Sequence, residues 1–365
     1  MQKTRTKWST LRKLTLTLTL GVLATLVTQV ATADVYTDPV GFITLTAVGT
    51  NGSPVAPAAS VWGLGMTQIP TNRGYTTGAS GLQISVNNAL TPGAFNMVVT
   101  GAITNPTFFI EITSGSGAGV FDDIVSNDAV SVYTASDMSS LAASGTTYKI
   151  YPQWTIATVF GASNSSGLQG GTGSGNADNI NVWNPLTQGF QTYYYKTNAA
   201  GGGIGWRSTA TGTSANMANS PLYIDQGIQI VRRVGSTTNM LLVGAVKLGK
   251  TVLPAVASGS TFAANVYPNG VSLGASGLYT TNSATGIGGG TGSGNADNVN
   301  IWNPTTQGYV TYYFKTNAAG GGIGWRSTAT GTSTDASTNQ IPLGGSTVIL
   351  RRLATPFDWG APQPF

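Results

Sequence analysis

Neither histidine nor cysteine occurs in the 365 residues, and only 8% of them are charged. The first absence excludes a Ser-His-Asp triad, a cysteine nucleophile, a zinc-finger-type site and any disulfide. Acids are scarce too: twelve in all, with Glu111 the single glutamate. The scarcity of charge is not that of a disordered chain. Disordered segments lack aromatic and β-branched residues, whereas this chain holds 8 Trp, 14 Tyr and 11 Phe beside 50 glycines.

The formal +5 is concentrated at the start. Lys3, Arg5, Lys7, Arg12 and Lys13 precede an apolar run over 14–30, which ends in Ala31-Thr32-Ala33. Basic start, apolar middle and A-x-A exit are the parts of a secretory signal peptide. We read 1–33 as that peptide, cleaved after Ala33, and expect a secreted protein: extracellular, at the cell surface or periplasmic. What remains holds twelve basic and twelve acidic side chains. Nucleic-acid binding then has no electrostatic support. No later apolar run is long enough to span a membrane as a helix.

Runs rich in Val, Ile, Thr, Tyr and Phe recur at 40–48, 95–103, 108–113, 129–134, 148–160 and 228–234. Gly, Asn, Ser and Pro clusters separate them, as turns separate short strands. Only 137–143 reads as a helical turn. The expected fold class is all-β: tandem β-sandwich or barrel-like domains with an internal duplication.

The duplication is explicit. Residues 170–214 align with 289–333 at a constant offset of 119, with 39 of 45 positions identical. Weaker echoes link 144–152 with 258–268, Gly161-Ala162-Ser163 with Gly274-Ala275-Ser276, and 96–103 with 239–246. The pattern predicts two tandem units, about 144–246 and 258–355. The domain boundaries expected are 1–33, 34–143, 144–257 and 258–365. A period this long means duplicated domains and not a thin solenoid.

Differences between the copies report on packing. Ile180 and Val182 become Val299 and Ile301, a volume-conserving exchange on one strand face, which is expected to be buried. Tyr195 becomes Phe314, so its hydroxyl is dispensable. Phe190 becomes Tyr309, which places that ring at a core's edge. Gln191 opposite Val310 has no account at this level.

Candidates for chemistry are few. Asp122-Asp123 would point to opposite faces in a strand, and read as turn acids after the glycine-rich 115–119. Asp178 and Asp297 lie in matching GSGNADN loops and are weak calcium candidates, since one carboxylate per loop is a poor cage. Asx residues closing a glycine turn account for the motif without metal. The GGTGSG loops lack the Lys-Ser/Thr ending of a phosphate loop. The richer set is polar and aromatic: Trp183, Tyr193, Tyr194, Lys196, Trp206 and Arg207, mirrored by Trp302, Tyr312, Tyr313, Lys315, Trp325 and Arg326. Such residues either stack on sugars and bond their hydroxyls, or fill sandwich cores and pair in cation–π stacks. The Arg232-Arg233 and Arg351-Arg352 pairs are expected to straddle a strand end, one paired and one solvated.

The DPVGF start (38–42), EITSG (111–115), SNDA (126–129), ADNINVWN with TYYYKT, the GWR loop, QIVRR before GAVKLG, and the tail around Trp359 together resemble a paralogous family. It is a family of secreted, functionally uncharacterised proteins of verrucomicrobial bacteria. The resemblance spans most of the mature chain and implies export without an established activity. The expectation is a secreted, non-enzymatic, β-rich cell-surface or extracellular structural protein without cofactor, which associates with itself or binds glycan. The alternatives are a carbohydrate-binding module, an outer-membrane β-barrel suggested by Phe365 and abundant Tyr, and a hydrolase working with Asp and Lys alone.

Overall fold

The structure, a computed structural model, describes residues 38–53, 55–100 and 103–365. The expected signal peptide lies outside them, as do 101–102 of the expected strand run 95–103. The described chain is nearly all β. Its single α-helix, Ile156–Phe160, departs from the strand expected over 148–160. Thr155 starts it by accepting from the Thr158 amide, and the Thr158 side chain returns the bond, a reciprocal cap that satisfies two otherwise unpaired donors. Among the described residues no helix is long and apolar enough to cross a membrane.

The repeats build sheets of the same order. In repeat 1 the strands run Gly205–Ser208, Gly189–Lys196, Asn179–Asn184, Ile228–Arg232 and Ala58–Trp62. In repeat 2 they run Gly324–Ser327, Gly308–Lys315, Asn298–Asn303, Ser346–Leu350 and Ser260–Ala264. Ile180, Val182, Val299 and Ile301 are all buried, as their reciprocal exchange predicts. Tyr195 and Phe314 pack edge-on against Trp206 and Trp325, while Phe190 and Tyr309 are exposed at the rim.

The edge strand shows where repeat 1 begins. Ala58–Trp62 does for repeat 1 what Ser260–Ala264 does for repeat 2. One strand earlier the match continues: Val40–Ala47 pairs with Thr238–Ala245 as Thr251–Ala255 pairs with Phe357–Ala361. Leu45 faces Met240 where Leu253 faces Trp359. Repeat 1 is therefore discontinuous, made of 40–62 and 154–245, and the start read at 144 is corrected to 40. The echo of 96–103 in 239–246 does not correspond to equivalent strands. Val98–Thr100 folds onto Ile103–Asn105, whereas Thr238–Ala245 belongs to the ribbon with Val40–Ala47.

Between the two pieces of repeat 1 the chain closes a six-stranded antiparallel barrel. Its circuit is Thr147–Pro152, Asn72–Ser80, Gln83–Val86, Ser131–Thr134, Phe121–Asn127 and Phe108–Ile112, which returns to Thr147–Pro152. Alternate residues such as Ile84, Val86, Ile110, Ile112, Val132 and Ile150 fill its interior, as in small barrels generally. Near 138–142 the Ala142 amide bonds the Met138 carbonyl, the helical turn expected there. Repeat 1 and repeat 2 each keep a separate apolar cluster.

Candidate functional site

Most of the polar and aromatic set turns inward. Trp206 is 1% exposed, packs on Phe160 and Tyr195, and donates its indole N–H to the Gly161 carbonyl at 2.8 Å. Trp325 is 4% exposed against Phe314. Tyr194 and Tyr313 are buried too. A ring without a free face cannot stack on a sugar, so the ligand-binding role expected of these residues is replaced by core packing.

The buried cations serve the glycine-rich loops. Lys196 Nζ donates to the carbonyls of Asn198 (3.0 Å) and Ala200, and Arg207 to those of Trp206 (2.7 Å), Gly202 and Gly203 (3.0 Å). Lys315 and Arg326 repeat this with Asn317, Gly320, Trp325, Gly321 and Gly322. Gly202 sits at φ 88°, and a side chain there would lie 2.4 Å from the Thr213 carbonyl oxygen; the loop turns its carbonyls onto the cations because glycine permits that backbone. These four side chains are internal staples and not ligand contacts.

The calcium reading of Asp178 and Asp297 fails for a similar reason. Asp178 accepts from the amides of Gln169 and Arg233, both at 2.7 Å, with Arg232 at 3.5 Å. Asp297 accepts from Gly288 and Arg352, both at 2.7 Å, and from Arg351 at 2.8 Å. Their oxygens are engaged and an arginine already neutralises each. The Asx expectation holds beside them: Asn176 accepts from Gly173 N and Asn295 from Gly292 N. Arg232 and Arg351 are the buried, paired members, and Arg233 and Arg352 lie nearer solvent.

Trp183 and Trp302 are half-buried and border clefts. The Trp183 cleft, about 480 Å³, is walled by Asn184, Gln191, Tyr193, Ser220, Tyr223 and Gln226, with Thr104 and Asn105 reaching in from the barrel's hairpin. Trp302 borders a different cleft, about 300 Å³, lined by Pro304, 342–346 and repeat 1 residues of 44–48 and 60–62. The two copies differ in sequence around the residues of the Trp183 cleft. In repeat 2 Asn339 Nδ2 donates to the Tyr312 hydroxyl at 2.9 Å. In repeat 1 the equivalent of Asn339 is Ser220. Its Oγ is buried beside the Tyr193 hydroxyl and makes no close bond of the Asn339–Tyr312 kind. Likewise Gln191, Tyr223 and Gln226 stand where repeat 2 has Val310, Pro342 and Gly345. Val310 packs onto the repeat 2 core, while Gln191 lines an open wall.

A second cavity of about 440 Å³ shares Tyr223 and Gln226 with the first and carries Asp122, Asp123, Asp225 and Asp358. Barrel, repeat 1 and repeat 2 each contribute carboxylates. Asp122 and Asp123 lie in the strand Phe121–Asn127 and not in a turn, which corrects the expectation for them. Burial, reinforced by Asp122, pushes the Asp123 carboxyl up to about 7, although Gln153 donates to it at 2.7 Å. Burial raises Asp225 to about 6 and raises Asp122 as well. The Tyr223 hydroxyl is raised by burial and then by Asp123. No Lys or Arg lines this cavity. Desolvated acids gathered in a cleft are the signature of a functional site. Reading the sequence missed this group because its members come from three distant segments.

No protein-family model matches the chain, no curated protein matches its sequence, and no solved structure matches its fold.

Proposed function

We propose that this is a secreted, non-enzymatic glycan-binding protein, one of the verrucomicrobial family it resembles, whose saccharide site is the Trp183 cleft of repeat 1. The observation that carries this reading is the contrast between Ser220 and Asn339. In copies otherwise almost identical, repeat 2 closes the Tyr hydroxyl with an amide, and repeat 1 sets only the shorter Ser220 beside it, in a cleft lined by Gln191, Asn184 and Trp183. A half-buried indole with convergent amides and hydroxyls is what a pyranose ring and its hydroxyls require. Ser220→Asn copies the repeat 2 arrangement and should abolish binding of oligosaccharides on a glycan array, while leaving the melting temperature near that of the parent. A Ser220→Asn protein that binds like the parent would sink the reading.

Catalysis has less support. The sole glutamate, Glu111, is buried in an ion pair with Lys247. Oligosaccharides incubated with the protein should be recovered at their original length. The outer-membrane reading is disfavoured by an apolar barrel interior, the reverse of a polar lumen, and by barrel strands that, Asn72–Ser80 aside, are shorter than a bilayer crossing needs.

A second reading, self-association at the cell surface, is favoured by the ribbon Val40–Ala47/Thr238–Ala245. Its outer face presents Phe42 (70% exposed), Leu241 (64%) and Val243 (54%), and neither strand contains a charged residue. Uncharged ribbons with apolar faces invite pairing. Sedimentation should show oligomers that Phe42→Lys with Leu241→Lys disperses.

A further inference from the structure

We infer that the groove bordered by Trp302 is a peptide-docking site, in which an extended, uncharged segment of another protein adds a strand to the open edge of Val40–Ala47. The site is separate from the Trp183 cleft, and the inference does not rest on the saccharide reading. Two independent observations carry it.

The first is an unpaired strand edge whose twin is paired. Val246 N–H donates to the Pro39 carbonyl at 2.7 Å. In the ribbon with Thr238–Ala245 the residues that exchange hydrogen bonds are therefore Gly41, Ile43, Leu45 and Ala47. Phe42, Thr44 and Thr46 turn their backbone groups to the other side. There the Trp62 indole donates to the Thr46 carbonyl at 3.0 Å, and no described residue bonds the amide or carbonyl of Thr44. In repeat 2 the place of Thr44 is held by Val252, whose amide donates to the Gly119 carbonyl of the barrel at 2.9 Å. The chain has one barrel for two such edges, so the edge of repeat 1 is left to a segment from elsewhere. Strand addition is what an open row of backbone donors and acceptors accepts.

The second observation is a pair of polar side chains without partners along the same groove. Thr44, Thr46, Trp302 and Ser346 line one cleft. Trp183 gives its indole N–H to the Ser260 carbonyl at 3.0 Å, whereas Trp302 Nε1 is buried with no partner. Ser346 is 1% exposed, and its Oγ is unpartnered as well. Buried donors left so are costly unless a ligand or water meets them. Leu343 and Pro304 add apolar wall, and no lining residue carries a charge. An uncharged peptide brings carbonyls for the indole and the Thr44 amide, an N–H for the Thr44 carbonyl, and alternate apolar side chains for that wall. A charged segment would leave its charge unanswered there.

The test pans the full protein against phage-displayed random dodecapeptides. The sequences enriched should be uncharged and rich in Val, Ile and Thr. In titration calorimetry a selected peptide should lose about two- to tenfold in affinity to Trp302→Phe, which removes one neutral hydrogen bond and keeps an aromatic ring. Thr46→Pro removes an edge N–H at a place where repeat 2 itself carries Pro254, so the melting temperature should stand while affinity falls at least as far. Ser220→Asn should leave peptide affinity unchanged. No enrichment, charged winners, or peptides indifferent to both groove substitutions overturn the inference. A dimer in sedimentation that Thr46→Pro dissolves would give the groove to a second copy. Oligosaccharide binding that Trp302→Phe removes and Ser220→Asn spares would give it to a glycan. Either result overturns the peptide assignment.

Discussion

Gln188 and Gln307 occupy the same place in the two repeats, and each grips the edge strand of the other. Gln188 accepts from the Ser260 amide at 2.7 Å and donates to its carbonyl at 3.1 Å. Gln307 accepts from the Ala59 amide at 2.6 Å and donates to its carbonyl at 3.1 Å. Both residues hold a left-handed backbone, at φ 51° and 52°. The duplicated units thus face each other across a pseudo-two-fold, as subunits do in an isologous dimer.

Breaking either clamp should weaken the junction and spare the sheets. Gln188→Ala and Gln307→Ala should each cost about 1–2 kcal/mol by urea unfolding, since each strips two hydrogen bonds from an edge. Limited proteolysis should then find new cleavage near 246–250, between the repeats.

The inward tryptophans should matter to stability first. Trp206→Ala and Trp325→Ala should each lose about 3–5 kcal/mol, as large-to-small core changes do. Denaturant midpoints would reveal this. A midpoint shared with the parent would mean that these rings are not core.

Asp297→Asn should be severe, because Arg351 is fully buried and loses its anion; about 3–5 kcal/mol is expected. Neither calcium nor a chelator should move the thermal midpoint of the parent, and a calcium-dependent rise would reinstate the metal reading of these loops.

The acidic cavity sets a pH dependence. Asp123 and Asp225 have folded values, about 7 and about 6, above the ordinary carboxylate range. The folded state therefore binds protons more readily than the unfolded chain. Stability at this site is fully present below the unfolded carboxylate range and falls as pH rises through 6 and 7, by up to about 1.4 kcal/mol per pH unit for each proton in play. Asp123→Asn with Asp225→Asn should flatten that slope between pH 5 and pH 8 in urea titrations. An unchanged slope would place the titrating groups elsewhere.

The parts of this architecture that could be read in advance are those carried by local pattern. The exchange of Ile180 and Val182 for Val299 and Ile301 marked the buried face, and Asx chemistry explained the GSGNADN turns without metal. What could not be read depends on long-range partners. Ala58–Trp62 and Ser260–Ala264 share a role but hardly a residue, because an edge strand contributes mainly backbone hydrogen bonds and alternating small apolar side chains. The inserted barrel stayed hidden behind that divergence. The acidic cavity was invisible because Asp123, Asp225 and Asp358 meet only after three parts of the chain have folded. One signal was in view: Gln191 against Val310 looked anomalous, and it marks the wall on which the two repeats differ.

The insertion of the barrel into repeat 1 also imposes an order of events during synthesis. Ala58–Trp62 leaves the ribosome early, yet its partner Ile228–Arg232 follows only after the whole barrel. The barrel needs nothing beyond Pro152 to close its ring, so it can fold while the first strands of repeat 1 wait unpaired. Those waiting strands, 40–47 and 58–62, contain no charged side chain. During that interval they are the most association-prone surface of the nascent protein.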